Sequence, residues 1–351
     1  MYIFFRELNK LDNNGKIKIK DIAEALHLSV STVSKALNGA FDISKETKEE
    51  VLEYAKKNGY KARDERLVVK KVRRLCVLYE NIDYSSQCNI IIPVSLAFAK
   101  YARNNNFEVV HTPINTMELP YDKFMEKNDY VGAFIAGLNY KSTILKEIQN
   151  TSYPTILFDN NIEGDKISTI TNENVNSIVK IVSLLCKLGH RKIGFIHGDK
   201  HSFISNERFA GYIIGQNIND LEYNPNYVYY GEYAEKSGFM AAEIFSKTDV
   251  TAVICSSDLI AIGLIRGLEA QGLKVPDDIS VTGFDDLDVA KFINPPLTTV
   301  RQNIDLLGEK AFNLLLNMLT NRSGQRIIVK SDVIIRKSVK KLNNSNTDID
   351  E

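Results

Sequence analysis

Residues 20–39 read KDIAEALHLSVSTVSKALNG, and this stretch decides the fold. Ile22, Ala23 and Leu26 recur at the spacing of one helical face, and Leu28-Ser29 breaks the period. A second helical period follows, with Val33, Ala36 and Leu37 facing inward. Ser29 or Ser31 supplies the capping hydroxyl, and Asn38-Gly39 the C-terminal stop. The outward side carries Val30, Ser31, Thr32, Ser34 and Lys35, and residues 29–39 contain no Asp or Glu. Small hydroxyls permit close approach of the helix backbone. A cation without carboxylates suits a face that lies between phosphates, as a helix in the DNA major groove does.

Outward from this stretch, Ser44 opens a third helix at SKET, which runs through Val51, Leu52 and Ala55 to Asn58-Gly59. Three short helices with a tight turn between the first two form a helix-turn-helix unit, assigned to residues 16–60. Residues 1–15 show no period and contain a turn cluster at Asp12-Asn13-Asn14-Gly15, so they read as an extension. The run KARDERLVVKKVRR, 61–74, reads as a basic linker or hinge. The chain as a whole has zero formal net charge, yet residues 16–74 hold 15 Lys/Arg against 9 Asp/Glu. A basic N-terminal module on a slightly acidic body fits a nucleic-acid-binding domain joined to another function.

From Leu75 the rhythm changes. LCVLY (75–79), FEVVH (107–111), VGAFI (131–135), PTILF (154–158), KIGFIHG (192–198), TAVIC (251–255) and ISVTGF (279–284) read as buried parallel strands. Helical stretches at 90–104, 174–188, 205–216, 235–246 and 258–271 lie between them, the alternation of doubly wound α/β sheets. About 260 residues of this pattern is large for one sheet, so two subdomains are expected. The tail SVKKLNNSNTDIDE, 338–351, is polar and Asn-rich and is expected to be disordered.

Other classes receive little support. The apolar start MYIFF is cut short by Arg6 and Glu7, too soon for a signal-peptide core, and no run approaches the ~18 apolar residues of a membrane span. A cytoplasmic protein without membrane association is expected. Cys76, Cys88, Cys186 and Cys255 are scattered, with no C-x-x-C pair. No metal spacing, Gly-rich phosphate loop or nucleophile–base motif is present, so no metal, cofactor or catalytic residue is expected.

Residues 20–39, ISKETKEEV (43–51) and NGY (58–60) resemble the DNA-binding headpiece of the lactose-repressor (LacI/GalR) family of transcription regulators. LGHRKIGFIHG (188–198), NERFAGY (206–212), SDLIAIG (257–263), VPDDISVTGFDD (275–286) and PPLTTV (295–300) resemble that family's sugar-binding core, in the same order. The resemblance spans roughly residues 17–336. It implies a small all-α helix-turn-helix headpiece plus an α/β core of two doubly wound parallel-sheet subdomains, periplasmic-binding-protein-like, type I. The core then covers 75–337. Its N-subdomain takes about 75–170 and 303–330, and its C-subdomain about 171–302 and 331–337.

The same resemblance implies a ligand-controlled repressor, with Val30, Ser31 and Lys35 reading bases and Thr32, Ser34, Asn38 and Tyr60 completing the DNA contact. Leu67 or Val69 would wedge into the minor groove. Two departures stand out: Lys35 occupies a position where relatives often carry arginine, whose planar fork lysine lacks, and the hinge has no proline and carries a bulky Arg66. Asn81, Asp159, Arg208, Tyr233, Ser257 and Asp285 would line the effector cleft at strand ends. Carboxylates and a guanidinium suit vicinal hydroxyls, and Tyr233 would stack on a sugar face. Ser257 is shorter than the family's usual amide or carboxylate. Asp258 reads as a helix cap, Asp286 and Asp288 as turn or surface charges, and His190 as part of a turn. The expected partners are a pseudo-palindromic DNA operator, a small effector, most simply a sugar, and a second copy of the chain. Rival readings are a nucleoside, purine or protein effector, a transport-type sugar-binding protein, and an enzyme on the same scaffold.

Overall fold

The described residues, 17–38, 40, 42–60, 72–80, 90–320 and 322–342 of a computed structural model, fall into two units divided after Lys71. In the first, α1 (Ile19–Ala25), α2 (Val30–Leu37) and α3 (Lys45–Lys57) enclose a core of Ile22, Ala23, Val33, Ala36, Val51 and Ala55. Each helix starts and stops on a local signal. Ser29 rather than Ser31 caps α2, its Oγ accepting from Thr32 N at 3.0 Å, and Ser44 caps α3 by accepting from Thr47 N at 3.1 Å. Gly59, at φ +67°, takes the left-handed turn that ends α3. The hinge candidates Leu67 and Val69 lie outside the described residues, as does Asn81.

The second unit begins with β1 (Arg73–Tyr79), α4 (Ile91–Asn104), β2 (Phe107–Pro113), α5 (Tyr121–Lys127), β3 (Tyr130–Ala136), α6 (Ile144–Ile148), β4 (Thr155–Phe158) and β5 (Ile167–Asn172). It continues through α7 (Asn174–Lys187), β6 (Ile193–His197), α8 (Phe203–Ile218), β7 (Val228–Tyr230), α9 (Glu235–Phe245), β8 (Ala252–Cys255), α10 (Asp258–Ala270) and β9 (Ser280–Thr282). The chain closes with β10 (Thr299–Arg301), α11 (Ile304–Leu319), β11 (Arg326–Val329) and β12 (Asp332–Ile334). One parallel sheet has the order β11-β5-β4-β3-β1-β2, and a second has β7-β6-β8-β9. Strands β10 and β12 form a separate antiparallel pair, and the backbone passes from one half to the other three times, after β5, β10 and β11.

Alternation explains the layers. Along β1, Leu75 and Val77 pack with Phe98, Phe134, Phe158 and Phe312, while Cys76 and Leu78 pack on the opposite face with Tyr121, Met125 and Leu157. In β8, Val253 and Cys255 join one cluster and Ala252 and Ile254 the other. Cys76, Cys186 and Cys255 are buried free thiols. No helix among the described residues is long and apolar enough to cross a membrane.

The disorder expected from 338 is not found over Ser338–Leu342, and residues 343–351 lie outside the described residues. Ser338 is fully buried: its Oγ donates to Val281 O at 2.6 Å and accepts from Thr298 N at 2.8 Å. The Lys340 carbonyl accepts from His190 Nε2 at 3.1 Å, and Leu342 N donates to Leu188 O at 2.8 Å. These bonds use backbone atoms and one small hydroxyl, which polar composition does not report. His190 is therefore a buried strut holding the C-terminal segment, with Nδ1 against Thr251 Oγ1 at 2.9 Å.

Candidate functional site

In the headpiece, α2 turns Val33 and Ala36 into the core and leaves Val30, Ser31, Lys35 and Asn38 exposed, with Thr32 and Ser34 half-buried. Thr32 and Asn38 are already engaged. The Thr32 hydroxyl lies 2.8 Å from Ser29 Oγ, and Asn38 Nδ2 donates to Ser34 O at 2.8 Å. They stabilise the helix ends, which places Ser31 and Lys35 mid-face. Tyr60 is half-buried against the headpiece core, its N donating to Ala55 O at 2.9 Å. One expectation is overturned. The face of α2 is not free of carboxylates, because Asp42, beyond the helix, returns to it and takes Lys35 Nζ at 2.6 Å. The Lys35 ammonium holds Asp42 below the usual carboxylate range.

In the second unit, parallel strands deliver the polar groups from their C-terminal ends. Asp159 follows β4, Tyr233 follows β7, Ser256 and Ser257 follow β8, and Asp285 follows β9. Asp159 (φ +57°) and Asp285 (φ +125°) occupy backbone conformations that favour glycine, at a cost on the order of 1 kcal/mol each. Both are pinned by the backbone of neighbouring strands, Asp159 N donating to Ile170 O at 2.9 Å and Asp285 N to Val300 O at 2.8 Å.

Arg208, on α8, is buried at the centre. Its Nε donates to Asn174 Oδ1 at 2.9 Å and Nη1 to Ser256 O at 2.5 Å, while its guanidinium stacks on Phe284, 3.6 Å from the ring centroid. Nη2 stands 3.9 Å from Asp285 Oδ1, an ion pair too long to be a hydrogen bond. Asp285 Oδ1 accepts from Gln302 Nε2 at 2.6 Å, and Asp159 Oδ1 from Thr171 Oγ1 at 2.7 Å. Tyr233 accepts from Ser205 Oγ at 2.7 Å and presses on Gly198, where a Cβ would stand 2.5 Å from Tyr233 Cζ. The structure thus brings Asp159, Arg208, Tyr233 and Asp285 within electrostatic reach of one another.

Ser257 is the N-cap of α10, accepting from Ile260 N at 3.3 Å and keeping its own proton to donate. The cap is Ser257, not Asp258. Asp258 is fully buried and holds the following loop, accepting from Leu287 N at 2.8 Å and Thr299 Oγ1 at 2.5 Å. Asp286 is a turn residue, at φ +57°, but no surface charge: it is buried between Arg301 (2.6 Å) and Arg336 (2.5 Å). Asp288 is exposed. Asn174, Gln302, Thr171, Ser205 and Phe284 were not foreseen. They sit outside the matching motifs or read as ordinary strand and helix residues. The buried Asn160 Nδ2 and Ser256 Oγ have no hydrogen-bond partner.

Burial pushes Asp159 up to about 7, outweighing its Thr171 hydrogen bond and the pull of Arg208. Burial likewise raises Asp285 against the pull of Arg208, and it raises Asp258, which the Asp285 charge raises further. With a folded-state value near 7 against about 3.9 when unfolded, the contribution of Asp159 is fully present below pH 4 and lost as pH rises through 7. Asp159→Asn removes that loss. We expect its melting temperature to gain on the wild type between pH 5 and pH 8 in ligand-free protein. An equal difference at both pH values would show that Asp159 ionises normally.

Residues 18–62 match the model of bacterial regulatory proteins, lacI family, and residues 182–339 that of the periplasmic binding protein-like domain. The chain is 27% identical over 340 residues to the probable HTH-type transcriptional repressor ExuR of Bacillus subtilis (strain 168), covering 93% of this chain and 99% of that protein. It is 27% identical over 336 residues to the HTH-type transcriptional repressor PurR of Pasteurella multocida (strain Pm70), covering 92% and 98%. Among solved structures, the transcriptional regulator CelR–cellobiose complex superposes with a TM-score of 0.67 at 24% identity, covering 92% of this chain and all of that one. The lac repressor dimer bound to operator and the anti-inducer ONPF gives 0.65 at 23%, covering 93% and 99%.

Proposed function

This chain belongs to the LacI family of bacterial regulatory proteins, and on that premise we propose that a sugar held by Arg208, Asp285 and Asp159 sets its affinity for operator DNA. The protein is a sequence-specific DNA-binding transcription regulator, with α2 as the helix that enters the major groove. The observation that carries the sugar reading is the 3.9 Å gap between Arg208 Nη2 and Asp285 Oδ1. A ligand hydroxyl there accepts from the guanidinium and donates to the carboxylate, a match that a purely apolar ligand cannot make. Asp159 takes a second hydroxyl, Tyr233 offers a ring face, and Asn160 Nδ2 and the Ser256 hydroxyl supply unspent donors. CelR is named with cellobiose, which supports the same ligand class.

A sugar alters DNA affinity only through different affinities for two conformations of the core, a coupling of ~1–3 kcal/mol in typical systems. A homodimer belongs to this reading, since one headpiece specifies too few base pairs and a two-fold pair matches a pseudo-palindrome.

The test is thermal unfolding of the full chain against neutral mono- and disaccharides, nucleosides and purines, followed by operator gel shifts with any hit. A sugar at 100 times its Kd adds about 2.7 kcal/mol and raises the melting temperature by several degrees. A shift given by purines or nucleosides and by no sugar would overturn the sugar reading.

A further inference from the structure

The face of α2 carries a feature that DNA affinity alone does not require, the carboxylate of Asp42 on the Lys35 ammonium at 2.6 Å. The two side chains are 43% and 50% exposed, so the pair adds little to stability. A carboxylate also costs a DNA-binding surface electrostatically, because it repels phosphate and cancels a cation that would otherwise release a counterion.

Lysine is a compact charge on a flexible stem, with three N–H donors and no planar fork. Left free, it satisfies any phosphate as readily as a base edge. Held by Asp42, it spends one donor on the carboxylate and keeps two, in a fixed direction, for acceptors such as guanine O6 and N7. We propose that Asp42 is a specificity-determining, positioning residue: it orients Lys35 for one base pair and denies that lysine to non-specific phosphate contact. The pair thereby gives lysine some of the directionality that arginine has by its own geometry. The other groups near the pair fit this role. Lys48 is close enough to help keep Asp42 ionised, and Asn38 and Ser34, on the same face, are bonded to each other.

The full-length protein and its Asp42→Asn, Lys35→Ala and Ser31→Ala variants are each used to select duplexes from a random-sequence pool. Affinity for the selected duplex and for a random duplex is then measured against salt. Asp42→Asn should bind random duplex more tightly, with a salt slope steeper by about 0.9 per headpiece. Its preference for selected over random duplex should fall about tenfold. The lost preference should fall on the same base pair that Lys35→Ala relaxes, and not on the one that Ser31→Ala relaxes. A general loss across all positions, or relaxation at a different base pair, would show a merely structural role and overturn the proposal. So would an unchanged salt slope, a readout that stands even if selection enriches no sequence. Failure of the wild type to bind either duplex would instead count against the DNA-binding function itself.

Discussion

Arg208→Ala should abolish the effector response of the core and lower its melting temperature by on the order of 10 °C. The side chain is 2% exposed and joins three elements: Asn174 at the start of α7, Ser256 beyond β8, and the Phe284 ring after β9. Truncation strands two buried acceptors and removes the guanidinium whose charge faces Asp159 and Asp285, a combined cost of about 3–5 kcal/mol. At roughly 2–4 °C per kcal/mol for a domain of this size, the loss is easily read by calorimetry. Arg208→Lys separates the two roles. It keeps the charge and recovers part of the stability, but it lacks the fork that a ligand hydroxyl and Ser256 O share, so the effector response stays lost. A variant Arg208→Ala that melts within 2 °C of the wild type and still responds would place the pocket elsewhere.

A second large effect is expected where two helices of the core meet. Helices α9 and α10 pack backbone to backbone. A Cβ on Gly238 would lie 1.9 Å from Ile260 O and 2.6 Å from Leu264 N, and one on Gly263 would lie 1.9 Å from Glu235 O. No rotamer change relieves a contact with backbone, so the helices would have to separate and open the cluster of Ala241, Ala242, Ile260 and Leu264. Gly238→Ala should cost about 3 kcal/mol or more. Gly272→Ala is the control: at φ +80° with open space around it, it should cost only about 1 kcal/mol of backbone strain. Equal losses in chemical denaturation would mean that the close helix contact is not what these glycines are for.

The headpiece was legible because its signals are local. Caps at Ser29 and Ser44, a stop at Asn58-Gly59, and inward Val33, Ala36 and Val51 all lie within one turn of the residues they govern. The longer core strands were legible for a similar reason, since strands buried on both faces are continuous apolar runs. What composition hides is contact made at long range through polar or backbone atoms. The polarity of β5, ISTITN, conceals a fully buried strand in which the Thr171 hydroxyl serves both Asp159 and Asn174. Ser338–Leu342 is ordered by bonds to residues 280–298 and 188–190 that no local pattern announces. Asp42 escaped because it lies seven residues from Lys35, beyond the helix whose face it joins.

At the candidate site, Arg208 and Asp285 were identifiable from the motifs around them. The residues that orient them, Asn174 and Gln302, act across 34 and 17 positions of sequence.

The three passages of backbone between the halves of the core are also tied to one another. Asn172 Nδ2 donates to Gln302 Oε1, and Ser331 Oγ donates to Asn172 Oδ1 at 3.4 Å. The buried carboxylates of Asp285 and Asp159 are bonded to the same passages, the first through Gln302 and the second through Thr171. On the proposed reading, a ligand held by Asp285 and Asp159 would act where the two halves join and not at their rims. If the halves turn about this joint, a small shift at Gln302 would sweep a longer arc at the far ends of both sheets.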